Sequence, residues 1–367
     1  MKSNVISFPH IGNYYIPIYN LFNNLIDKNT TEILIPKKNS VRSLEIGSQN
    51  SPEFICTPFK YNMGNYIESL EAGANILIQI GGGCKYGYYS EVQEQILKDM
   101  GYKFTFITLS DPQGIDILKI YKKVKPLNRK LSFTAFVSRF LLTIKMIEFM
   151  DDLETYVREN ILYEVNKGEL EKIHKEFLVE LKNIKNKEHF IKIRKIYKEK
   201  LKNVELNKKK DFLRVGLIGE LYSLMEPFAS FFMEENLTKM GIQLKRYTTV
   251  TYLLFKKGKS EGQVLNEAKD YIKYTLGADG GESGAHAVTL AKEGYDGLIH
   301  LKPFGCTPEI NAMPILQRVS NDYNIPIMYL TFDSQTSREG ILTRIEAFAD
   351  MIKMKKEKCN NMKRGVV

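Results

Sequence analysis

Gly297-Leu-Ile-His-Leu-Lys-Pro-Phe-Gly-Cys-Thr-Pro-Glu-Ile-Asn-Ala-Met-Pro-Ile-Leu-Gln-Arg-Val319 reads as a strand, a turn and a helix. Gly297 to Leu301 is a short apolar run, and apolar residues from Pro308 to Val319 recur at helical spacing. Pro326 to Thr331 is a second apolar run, and Ile341 to Lys353 a closing amphipathic stretch. Strands alternating with helices of this length predict parallel βαβ units, buried on both faces by their crossover helices.

The same alternation appears at the start of the chain. Val5 to Phe8, Glu32 to Ile35, Asn75 to Ile80 and Phe104 to Leu109 read as strands. Ile16 to Ile26, Tyr66 to Ala72 and Glu91 to Met100 read as helices. In the second half Arg214 to Ile218 is a predicted strand, with predicted helices over Glu226 to Met240 and Gln263 to Leu276. Between the two alternating regions, from Pro126 to Lys210, the pattern predicts long helices and no strand. The expected fold is therefore α/β. Residues 1–125 are expected to form an open parallel-sheet domain, 126–210 a basic helical insertion, and 211–367 a second open parallel-sheet domain. Open sheets of this kind bind ligands beyond the carboxyl ends of their strands.

Composition narrows the class. With 367 residues, 43% hydrophobic and 26% charged, the chain can bury sizeable cores, which excludes disordered and collagen-like classes. Four cysteines do not make a disulfide framework, so a reducing, cytoplasmic setting is expected. No stretch approaches the length of a membrane span, and the first residues lack a signal-peptide pattern. The net charge of +10 is local: residues 166–210 hold 15 Lys/Arg against 7 Asp/Glu, and the remainder is nearly balanced. Within that segment Ile173, Phe177, Leu181 and Ile184 recur at helical spacing, which predicts an amphipathic helix with a solvated basic face. No nucleic-acid signature accompanies it, so neither nucleic acid nor membrane is an expected partner.

Three cysteines stand at predicted strand-to-helix junctions: Cys56 in Glu53-Phe-Ile-Cys-Thr-Pro-Phe59, Cys84 in Gly81-Gly-Gly-Cys-Lys-Tyr-Gly87, and Cys306. Helix N-termini present unpaired N–H groups and partial positive charge, which favour thiolates and anionic centres. Thiolates select zinc, Cu(I) or iron–sulfur clusters. Separations of 28 and 222 residues match no compact ligand motif, so the residues alone leave two readings open: a shared metal site, or small side chains buried in cores. Cys359 lies in a charged tail and is expected to be exposed. The Gly-rich stretches lack a nucleotide-loop arrangement. His10, His286 and His300 sit near predicted strand ends, whereas His174 and His189 lie in the basic segment and are expected to be solvated. Glu220 and Glu226 fit a helix start, and Lys60, Lys85 and Lys302 neighbour the three cysteines.

Taken together, six stretches resemble the 2-hydroxyacyl-CoA dehydratase D-component family, in its branch of acyl-CoA dehydratase activase-related (CoA protein activase) and double-cubane cluster proteins. They are Phe8-Pro-His-Ile-Gly-Asn-Tyr-Tyr15, Glu53 to Lys60, Gly83 to Tyr89, Gly219-Glu-Leu-Tyr222 with Glu226-Pro-Phe228, Pro303 to Pro308, and Thr343 to Asp350. The resemblance implies two flavodoxin-like (Rossmann-like) α/β domains and an iron–sulfur cluster, 4Fe-4S or double-cubane 8Fe-9S, held by Cys56, Cys84 and Cys306. It also implies a separate ATP-hydrolysing iron–sulfur activase as electron donor, a homodimer or a heterodimer with a related subunit, and an acyl-CoA or small-molecule substrate. The expected activity is reductive or radical chemistry dependent on that activase. A non-catalytic electron-transfer or scaffold subunit, and a cluster-free ligand-binding protein, are the alternatives. Against the family pattern, Gly-Gly-Gly-Cys replaces Gly-Pro-Cys, and Asp333-Ser-Gln-Thr-Ser337 lacks a second acid beside its aspartate.

Overall fold

The structure is a computed structural model that describes residues 3–79, 88–109, 116–255, 261–274 and 276–363. The chain divides into two compact units, Met1–Asp151 with Lys172–Asn203, and Asp152–Glu171 with Val204–Val367.

In the first unit the elements run β1 (Asn4–Ser7), α1 (Tyr15–Leu25), β2 (Thr31–Ile33), α2 (Val41–Gln49), α3 (Thr57–Glu71), β3 (Ile76–Gln79), α4 (Tyr89–Asp99), β4 (Thr105–Thr108) and α5 (Ile117–Val124). The strands form an all-parallel sheet of order β2-β1-β3-β4, with Ile6 opposite Ile76 and Ile78 opposite Ile107. Parallel neighbours need crossover connections, and the helices supply them while covering the apolar strands. All four residues of β3 are buried.

Three long helices follow: α6 (Phe133–Asn160), α7 (Glu169–Lys182) and α8 (Lys187–Asn203). The stretch read as an insertion is shared between the units, α6 as far as Asp151 and the residues from Lys172 to Asn203 belonging to the first. Ile173, Phe177, Leu181 and Ile184 are all buried, so the amphipathic reading holds.

The second unit repeats the first topology: β5 (Leu213–Gly219), α9 (Leu221–Met225), α10 (Met233–Lys239), β6 (Ile242–Arg246), α11 (Val250–Phe255), α12 (Glu261–Asn266), α13 (Gly280–Lys292), β7 (Gly297–Pro303), α14 (Thr307–Tyr323), β8 (Ile327–Phe332) and α15 (Arg338–Lys363). Its sheet has order β6-β5-β7-β8 and is again all parallel. Leu237 of α10 with Ile345 and Phe348 of α15 cover one face, and Val288 of α13 with Leu316 of α14 cover the other. Both units thus have the doubly wound, flavodoxin-like strand order 2-1-3-4.

Several local readings in the second unit differ from the sequence expectation. The helix expected over Glu226–Met240 is broken, because Pro227 disfavours a helical Glu226 and Phe231 and Phe232 take left-handed backbone, φ 50° and 57°. The helix expected over Gln263–Leu276 is confined to α12. The edge strand β6 was not expected: Lys245 and Arg246 interrupt its apolar alternation, yet Arg246 is buried against Glu234, Nε to Oε1 3.0 Å.

Candidate functional site

Each unit delivers a cysteine to the start of a long helix, by a shared five-residue pattern. Phe54-Ile-Cys56-Thr-Pro58 and Phe304-Gly-Cys306-Thr-Pro308 place the cysteine at the N-cap of α3 and α14, with proline in the first turn. Proline suits that position because its missing N–H would have had no helical partner, and its fixed φ is already helical. Neither cysteine spends its side chain capping the helix. Both thiols are half-buried and sit where helix N–H groups and the macrodipole favour negative charge.

The two settings differ in what precedes them. Cys306 follows β7 directly, across a turn at Gly305, φ 78°, as the sequence led us to expect. Cys56 does not follow a strand: α2 intervenes, an element the sequence reading left out. α2 and α3 cross in backbone contact. A Cβ on Gly47 would lie 1.7 Å from the Lys60 carbonyl oxygen, and one on Gly64 would lie 1.9 Å from that of Ser43. This crossing fixes the start of α3, and the Cys56 thiol shares a hydrogen bond with the Tyr89 hydroxyl at the start of α4. Cys84 and Lys85 lie outside the described residues. Lys60 is buried and donates to the Glu53 carbonyl at 3.2 Å. Cys359 is exposed, as expected.

Around Cys306 the second unit gathers acids at the carboxyl edge of its sheet. Gly219 ends β5 with φ 131°, in a space where a Cβ would lie 1.9 Å from the Leu301 carbonyl oxygen. Glu220 then caps α9, its carboxylate accepting from Tyr222 N and Ser223 N, both 2.9 Å. The Leu221 N–H donates to Asp279 Oδ2 at 3.2 Å, joining α9 to the start of α13. Gly280 lets α13 touch α14, since a Cβ there would meet the Pro308 carbonyl oxygen at 2.3 Å. In the first turn of α14 the fully buried Glu309 accepts from Ser283 Oγ at 3.0 Å and meets His300 Nε2 at 2.6 Å. His300, also fully buried, has no hydrogen-bond partner at Nδ1 among the described residues, and its ring meets Tyr329 edge-on at 5.6 Å.

Charge crowding marks this edge. Burial pushes the Asp279 carboxyl well above its usual range, and Glu220 and Glu309 push it further. Burial also raises Glu220, against its hydrogen bonds to Ser223 and Tyr222. Lys302 is buried and its ammonium is pulled down by desolvation, with Cys306 and Glu309 restoring part of the shift. The edge therefore offers an anion-favouring helix start, a thiol, a buried lysine and carboxyl groups biased towards the protonated form.

Sequence reasoning singled out Cys306, His300, Lys302 and Glu220 but missed Asp279, Ser283 and Glu309. Glu309 stands three residues after the N-cap, where an acid is ordinarily a solvated capping residue, and only tertiary structure turns it inward. Two other histidines pack against tyrosine rings. His286 Nε2 pairs with Tyr252 Oη at 2.9 Å, and His10 stacks on Tyr15 with ring centroids 5.2 Å apart. His174 and His189 are half-buried rather than solvated, and the Lys185 N–H lies 3.4 Å from His189 Nδ1. Glu226 is buried at the end of α9, its carboxylate accepting from Phe228 N at 3.2 Å. Asp333 builds the turn into α15 by accepting from Gln335 N and Thr336 Oγ1, both 2.8 Å. A concavity of about 410 Å³ over β4 and α5 is lined by none of these residues.

Two doubly wound units with thiols at helix starts define the class as an α/β protein with an anion-favouring carboxyl edge. Residues 187–352, which include Cys306 and the whole acid cluster, match the family model described as 2-hydroxyglutaryl-CoA dehydratase, D-component. Over that stretch the resemblance read from the sequence is shown; the match does not choose among the family's branches. No curated protein matches the chain. No helix among the described residues is long and apolar enough to cross a membrane.

Proposed function

We propose that the chain is an iron–sulfur component of a 2-hydroxyacyl-CoA dehydratase-type system, with Cys56, Cys84 and Cys306 as cluster ligands and an ATP-hydrolysing activase as electron donor. The observation that carries the reading is the repeated cysteine N-cap. Two thiols, one per unit, stand at the starts of long helices with their side chains unused for capping, inside a chain whose second half matches the family. The donor set fits the group. Thiolates are the ligands such clusters take, and helix N–H groups offset the charge of an anionic centre. Among the described residues no three His, Cys, Asp or Glu groups are arranged to hold a metal, and Cys84 is not among them.

Cys56, Cys84 and Cys306 would hold the cluster, which would supply one-electron redox chemistry when bound. The chain's own residues set the surroundings. Cys306 and Cys56 present sulfur at the helix starts, and buried Lys302 adds positive charge beside Cys306. Asp279 and Glu220, held towards the neutral form, keep protons near the same edge. The test is anaerobic mixing of the reconstituted chain with a family activase, reductant and ATP. The reading expects an ATP-dependent change in the visible spectrum that Cys306→Ser abolishes; no change with an activase proven on its own partner overturns it.

A further inference from the structure

Within the first unit a tyrosine hydroxyl sits against the Cys56 sulfur. Cys56 Sγ and Tyr89 Oη, 33 residues apart in sequence, share a hydrogen bond. They come from different helices, Cys56 as the N-cap of α3 and Tyr89 as the first residue of α4. With a free thiol either atom can donate. A cysteine sulfur bound to a metal carries no proton, so a hydrogen bond retained there has the hydroxyl as its donor.

The neighbouring side chains fix where that hydroxyl stands. The Tyr89 ring meets Phe59, three residues after Cys56, edge-on with ring centroids 5.2 Å apart. Both rings, and Cys56 itself, belong to the apolar cluster built on Met63, Tyr66, Leu77 and Leu97. One turn further along α4 the fully buried Gln93 accepts from Gln79 Nε2 at 2.9 Å and donates to the Phe59 carbonyl at 3.5 Å. Gln93 therefore ties α4 to the end of β3 and to the first turn of α3, the turn that Cys56 caps. The hydroxyl is held at the sulfur from two sides and does not reach it on a mobile surface side chain.

A hydrogen bond to a ligand sulfur draws electron density away from the metal. It strengthens as the centre becomes more negative, so it favours the reduced state. Residues that contact a ligand without being ligands tune metal sites in this way.

We propose that Tyr89 is a positioning residue for the cluster, its hydroxyl donating to the Cys56 sulfur and thereby raising the reduction potential of the centre. The inference rests on the cluster reading above, and neither residue lies in the stretch 187–352 that the family model matches. The phenolic O–H bond stays intact. Tyr89 shifts only the equilibrium for taking up an electron delivered by the activase.

The test compares anaerobically reconstituted parent, Tyr89→Phe and the control Tyr102→Phe. Tyr89→Phe keeps the ring against Phe59 and removes only the hydroxyl. Tyr102 packs on the same apolar cluster and loses the same group in its variant. Iron per chain and thermal melting are measured first, then the reduction potential by an EPR-monitored redox titration. Equal iron and similar melting are expected in all three. Tyr89→Phe should disfavour the reduced state about tenfold, a potential about 59 mV more negative for one electron, and Tyr102→Phe should match the parent. A Tyr89→Phe potential at or above the parent's, at equal iron, overturns the tuning role and leaves the cluster standing. A parent that takes up no iron overturns both.

Discussion

Glu309→Ala should destabilise the second unit by about 4 kcal/mol. Glu309 is fully buried, and its two oxygens each serve a buried partner, Ser283 Oγ at 3.0 Å and His300 Nε2 at 2.6 Å. Truncation leaves both groups without that partner in a region closed to water, at about 1–3 kcal/mol each, so about 2–6 kcal/mol together. The void left by the side chain adds to this cost. At 1.4 kcal/mol per decade, 4 kcal/mol is about a thousandfold in the unfolding equilibrium, a large share of the roughly 5–15 kcal/mol a domain commands. Glu309→Gln keeps the shape and one accepting oxygen, so its cost should be nearer 1–2 kcal/mol. Urea unfolding by far-ultraviolet circular dichroism gives the totals, and hydrogen exchange of α13 and α14 amides localises the loss. A Glu309→Ala protein within about 0.5 kcal/mol of the parent, the range of ordinary surface changes, would refute the buried network and the inward turn of Glu309.

Further expectations concern charge and close approach. Asp279 and Glu220 have native carboxyls raised above their unfolded values, so the native state holds more protons. Their contribution is fully present below the unfolded carboxyl range and is lost as pH rises through the native values. Asp279→Asn, which keeps an acceptor for Leu221 N, should therefore raise stability at neutral and alkaline pH. It should also flatten the decline with rising pH and change little near pH 3. A parent-like pH profile in thermal melts would contradict this. Gly64→Ala forces a Cβ to within 1.9 Å of the Ser43 carbonyl oxygen, where only backbone movement gives relief. It should cost about 3 kcal/mol by overpacking and speed alkylation of Cys56 as α3 shifts. Unchanged melting and alkylation would show that the α2–α3 crossing does not set the Cys56 position.

The two parallel sheets were legible because their strands are short apolar runs between amphipathic helices, the pattern that burial on both faces imposes. Strand β6 escaped notice because the burial of Arg246 depends on Glu234, a partner 12 positions away that periodicity does not register. The break in the helix after Pro227 rests on two left-handed phenylalanines, a conformation their residue type does not announce. At the site, cysteine positions and the Cys-Thr-Pro echo could be read directly, since capping is a local property. The acid cluster could not. Asp279 and Glu309 lie 30 residues apart and meet only because Gly280 brings α13 onto α14.

A cluster held by Cys56, Cys84 and Cys306, as proposed, would appear as iron and acid-labile sulfide bound to the purified chain. Anaerobically purified or reconstituted protein should carry about four irons per chain, because three thiolates serve one cubane whether it stands alone or is joined to a second through a sulfide. Each of Cys56→Ser, Cys84→Ser and Cys306→Ser should lower that content, and Cys359→Ser should leave it unchanged. A colourless parent without iron after anaerobic reconstitution, or iron retained in all three serine variants, would contradict it.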